Sequence, residues 1–71
     1  MKELAQVITD VLIKLGYDAM CYENQTHYTI VYTSHSQYMP KEHENIVRRI
    51  AGDKLMEFFW ISSKQKIYIS K

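Results

Sequence analysis

The stretch Leu55-Met56-Glu57-Phe58-Phe59-Trp60-Ile61 limits the folds open to this chain more than any other, because both phenylalanines and the single tryptophan fall inside it. A short apolar, aromatic-rich run bounded by Gly52-Asp53 and Ser62-Ser63 reads as a β-strand. Strand alternation sends Met56, Phe58 and Trp60 to one face and Leu55, Phe59 and Ile61 to the other. Only Glu57 interrupts the apolar character, so both faces ask for cover.

Around this strand the chain reads as αββαββ in one domain, residues 1–71. Leu4, Val7, Ile8, Val11, Leu12 and Leu15 form one stripe of a helix over Lys2 to Leu15, with Gln6, Thr9 and Asp10 away from it. Ile13 falls on the polar side and marks a possible contact edge. Gly16 supplies the helix stop. Tyr17–Glu23 and Thr26–Ser34 read as strands joined at Asn24-Gln25. A two-residue turn there places Cys21 opposite Tyr28 and Ala19 opposite Ile30. His35–Met39 reads as a polar loop, and Pro40 biases Met39 away from helix. Lys41–Ala51 is a second helix with His43, Ile46, Val47 and Ile50 on one face, ended by Gly52. Leu55–Ser62 and Lys66–Lys71 then form a second hairpin through Ser63-Lys64. The expected fold is α+β, a four-stranded, mainly antiparallel sheet with both helices on one face.

A faint echo at an offset of thirty-six hints at a two-fold αββ architecture: Gly16/Gly52, Met20/Met56, Tyr22/Phe58, Val31/Ile67, Tyr32/Tyr68 and Ser34/Ser70 coincide.

Two helices can shield one face of such a sheet, so an aromatic-rich set remains on the other. A contiguous apolar patch on a small protein marks an interface. Tyrosine suits a half-wet surface, because the ring buries area while the hydroxyl keeps a partner. The blander alternative leaves the tyrosines as ordinary outward strand residues. The expectation is a non-catalytic interaction or regulatory module, a homodimer or a subunit docking on another protein. Tyr28, Ile30, Tyr32, Phe59, Ile61 and Tyr68 are the expected partner-binding residues. The alternative is single-stranded nucleic-acid binding through the second hairpin, where Lys64, Lys66 and Lys71 surround aromatic residues. A formal net charge of only +1 weighs against it.

Little in the chain points to catalysis. Three histidines, His27, His35 and His43, share an eight-residue spacing that matches no metal motif, so neither a metal nor a cofactor is expected. Cys21, the single cysteine, is grouped by alternation with Ala19 and Tyr28 as a packed thiol. Phosphate loops and nucleophile elbows are missing, as are paired catalytic carboxylates, so no enzyme is expected. With no membrane-spanning run and no signal-peptide pattern, a cytoplasmic protein is expected.

Overall fold

The computed structural model describes residues 3–33, 39–61 and 64–71; the side chains of residues 59–61 and 64 are outside that description. Its elements follow the expected order: α1 (Leu4–Lys14), β1 (Asp18–Glu23), β2 (His27–Thr33), α2 (Lys41–Ala51), a 3-10 turn (Gly52–Lys54), β3 (Leu55–Ile61) and β4 (Lys64–Ser70). The four strands form one antiparallel sheet in the order β1-β2-β4-β3, and the helices pack against one face of it. Residues 35–38 of the polar loop expected over His35–Met39, and residues 62 and 63 at the second turn, lie outside the described residues.

The α1 stripe is rotated from the expected one. Ala5, Ile8, Thr9 and Leu12 are its buried residues. Thr9, expected on the solvent side, is buried because its hydroxyl donates to the Ala5 carbonyl at 2.8 Å, which satisfies its polar atom within the helix. Gly16, at φ 102°, closes α1 with a Schellman arrangement: its N–H donates to the Ile13 carbonyl and that of Tyr17 to the Leu12 carbonyl, each at 3.0 Å. The motif fixes the turn that delivers Tyr17 to the sheet. On α2, Val47 and Ala51 are buried, while His43, Ile46 and Ile50 are half-buried beside them. Glu44, in the first turn of α2, lies 2.8 Å from Arg48 Nε and 3.6 Å from Lys41 Nζ. The bond from Arg48 holds its carboxyl below the usual range.

Both hairpins keep the expected faces but slide by two residues. Cys21 pairs with Ile30 and Ala19 with Tyr32, rather than with Tyr28 and Ile30. In the second hairpin Phe58 pairs with Ile67 and Ile61 with Lys64, so β4 begins two residues earlier than expected. A shift of two preserves side-chain parity, which is why the faces survive the error. One parity break is real. A bulge between Leu55 and Glu57 puts Leu55 on the side of Ile69 and Phe58, where alternation alone would have placed Met56.

The helices take the face carrying Ala19, Cys21, Tyr28, Ile30, Tyr32, Ile67 and Ile69. Met39, expected in a polar loop, also enters this core, at 3% exposure. Fully burying an Ile or Leu such as Ile8, Leu12, Ile30 or Ile67 contributes about 1.5–3 kcal/mol. The two-fold pattern is present in the element bounds, but at thirty-seven residues: Leu4 answers Lys41, Lys14 answers Ala51, Asp18 answers Leu55 and His27 answers Lys64. At thirty-six, Tyr22 and Val31 on the uncovered face would match Phe58 and Ile67 on the covered one, so these letter coincidences join opposite sides of the sheet.

Candidate interaction surface

The helix-free side of the sheet is assembled from the residues that alternate with the core. From β1 come Asp18, Met20 and Tyr22; from β2, His27, Thr29, Val31 and Thr33; from β4, Lys66 and Tyr68; from β3, Glu57. Met20 and Tyr22 are 60% and 50% exposed, and Met56 at the bulge is 57% exposed. The Tyr22 hydroxyl donates to Met20 Sδ at 3.6 Å, so the two side chains lie together as one apolar ridge. Beside them a groove of about 550 Å³ wraps the start of β1, lined by Ile13, Tyr17, Met20, Tyr22 and Val31 among others. Ile13, 52% exposed, reaches it from α1. A second groove, about 360 Å³, lies between His27, Met56, Glu57 and Tyr68.

The expected partner-binding set is divided by the sheet. Ile30 and Tyr32 are 0% and 1% exposed in the core, and Tyr28 is half-buried on the same covered face. None of these three contributes to the helix-free side. Tyr68 does, with its ring edge-on to His27 at 5.4 Å. Phe59 and Ile61 occupy β3 positions opposite Lys66 and Lys64; their side chains lie outside the described residues. The residues that sequence reading passed over are Met20, Tyr22 and Met56. Their signal was present, since Met20, Tyr22 and Val31 share a strand face. Tyrosine content drew attention to the opposite face instead.

Polar groups on this side are held in place. The Asn24 amide nitrogen lies 3.1 Å from Thr29 Oγ1 and 3.2 Å from His27 Nε2, while Thr26 Oγ1 lies 3.0 Å from His27 Nδ1. His43 belongs elsewhere, bonded from α2 to Tyr17 at the start of the sheet; His35 lies outside the described residues. Among the described residues no three His, Cys, Asp or Glu side chains converge as metal ligands. Cys21 is half-buried under α1, and burial pushes its thiol up, away from the reactive thiolate.

The basic residues proposed for phosphate are partly engaged. Lys71 Nζ lies 2.7 Å from Glu23 Oε2, and that bond raises the lysine's pKa. Lys66 is half-buried on the helix-free side, and the Lys64 side chain lies outside the described residues. Among the described residues no helix is long and apolar enough to cross a membrane. Comparison of the chain with protein-family models, with curated proteins and with solved structures finds no match.

Proposed function

We propose that this chain is a non-catalytic interaction module that recognises a protein, in the first place a second copy of itself, through the side of the sheet left free by the helices. The observation that carries the reading is the placement of Met20, Tyr22 and Met56. They are three of the four large apolar side chains that stand exposed among the described residues, and all belong to that side or its rim. Isolated exposed apolar residues are ordinary, but a ridge with an adjoining apolar groove is the composition of an interface core. A cytoplasmic setting fits the lone thiol of Cys21.

Sedimentation equilibrium across a concentration range tests this. Self-association of the parent protein is expected, with monomeric mass and an unchanged circular dichroism spectrum for the Met20→Lys, Tyr22→Lys double variant. A parent protein that stays monomeric throughout would remove self-recognition. Nucleic-acid binding through Lys64, Lys66 and Lys71 is the weaker reading, since Glu23 already answers Lys71. It requires salt-dependent retention of short oligonucleotides.

A further inference from the structure

The two edges of the sheet are built differently. β3 is interrupted by the bulge between Leu55 and Glu57, a common device for blunting an edge. β1 pairs with β2 in unbroken register from Asp18 to Glu23 and contains neither proline nor lysine. Its outward hydrogen-bonding groups can be assigned. The Asn24 N–H donates to the His27 carbonyl at 2.8 Å, so Asn24 and His27 are a bonded pair. Antiparallel alternation then makes Tyr22, Met20 and Asp18 the residues bonded to β2. The N–H and C=O groups of Ala19, Cys21 and Glu23 point away from the sheet.

We propose that two copies of this chain join through β1, antiparallel and centred on Cys21, to form a continuous eight-stranded sheet with both helix-free faces on one side. The proposal rests on the reading of the protein as a self-associating module and names the interface. A two-fold axis normal to the sheet must pair outward-bonding residues with one another. The register with the longest overlap places Cys21 opposite Cys21 of the second copy and Ala19 opposite Glu23. It also places Met20 opposite Tyr22, twice, in the closely spaced non-bonded positions about 4.5 Å apart at Cα. Met20 and Tyr22 of each copy thereby pack side by side with Tyr22 and Met20 of the other across the seam, while the rest of the helix-free face stays open. Like charges are kept apart, since Asp18 meets the neutral Asn24.

Charge along the edge is also self-complementary. α1 runs antiparallel to β1: Glu3 lies against Tyr28, the partner of Glu23, Thr9 against Cys21, and Lys14 leads through Gly16 to Tyr17. One end of the edge therefore carries Glu3 and Glu23, the latter answered by Lys71 of its own chain, and the other carries Lys14 with Asp18 at the strand's start, so the charge difference between the ends is modest. A two-fold axis at Cys21 sets the Lys14 end of each copy beside the Glu3 end of the other, with the dipoles of the two α1 helices opposed.

The test uses the full chain with cysteines placed by this register. Met20→Cys and Tyr22→Cys are each made in a Cys21→Ser background, mixed, and oxidised with copper–phenanthroline. A disulfide-linked heterodimer is expected in the mixture, and much less product from either protein alone, where the introduced thiols are diagonal rather than opposite. In parallel, Ala19→Pro removes one outward N–H at an edge position where proline is tolerated. It should fold and weaken dimerisation at least about tenfold, since the dimer loses two backbone bonds, one from each copy, at about 1 kcal/mol each. A mixture that does not cross-link, together with self-association that Ala19→Pro leaves intact, overturns the β1 interface while leaving the module reading standing. Parent protein that is monomeric at every concentration overturns both.

Discussion

The Tyr17 hydroxyl lies 2.7 Å from His43 Nδ1 and ties the start of the sheet to the second helix, across twenty-six positions of sequence. The Tyr17 ring also stands edge-on to His43 and to Tyr32, each at 5.6 Å. Burial raises the Tyr17 pKa, so the phenol keeps its proton at neutral pH, and the bond runs in either direction according to the tautomer of His43. Tyr17→Phe keeps the ring contacts and loses only the bond. A loss of roughly 1 kcal/mol is expected, read as a lower urea midpoint with an unchanged slope. A larger loss with a changed slope would show that the bond organises more than one joint.

Tyr32 presents the opposite case. Its hydroxyl is buried and has no hydrogen-bond partner among the described residues. Burial, followed by the charges of Tyr17 and Glu44, pushes its ionisation well above the ordinary tyrosine range. Because the folded-state pKa is the higher one, this group's stabilisation is fully present below about pH 10, where the unfolded phenol is also neutral. It is lost as pH rises toward the folded-state value. Tyrosine absorbance should therefore show a late phase that coincides with alkaline unfolding. Tyr32→Phe should move that unfolding to higher pH and leave neutral-pH stability within about 1 kcal/mol of the parent or above it, since an unpaired buried hydroxyl is removed. A large neutral-pH loss would reveal a partner for the hydroxyl.

Gly16 is required by conformation and not by space. A Cβ added there meets nothing within 4 Å, yet φ is 102°. Gly16→Ala should cost about 1–2 kcal/mol, the penalty for an L side chain in the left-handed region. Thermal unfolding followed by circular dichroism measures it. A near-neutral result would mean that α1 can end without the Schellman turn.

Much of the architecture was legible because it rests on short-range chemistry: the α1 apolar stripe, two glycine stops and four runs of strand-favouring residues. The sliding of both hairpins was not, because Asn24-Gln25 and Ser63-Lys64 are weak turn formers and nothing local selects them over neighbouring positions. Parity protected the faces from that error. The bulge at Met56 escaped because Leu55 and Met56 are both apolar, so either could fill the core position and the extra residue leaves no mark. The candidate surface was legible only as a quantity of ring area. Which side keeps it depends on how the helices pack, and Tyr32 and Ile30 went under them while Met20 and Tyr22 stayed out.

The Met56 bulge carries the last prediction. If β1 pairs with its copy and β3 does not, the difference lies in this one inserted residue, because β3 is otherwise an apolar edge strand (Leu55–Ile61) as long as its neighbour β4. Deleting Met56 makes Leu55 and Glu57 consecutive, which restores strict alternation: Leu55 stays toward the core and Glu57 away from it. The edge straightens, and its outward backbone groups form an uninterrupted row. A molecule with two usable edges can add copies at both, so association no longer closes at a pair. Sedimentation velocity should then show species larger than dimers that grow with concentration, while circular dichroism stays close to that of the parent. A deletion variant with the parent's mass distribution would mean that the bulge does not guard this edge, and that some other feature keeps β3 from pairing.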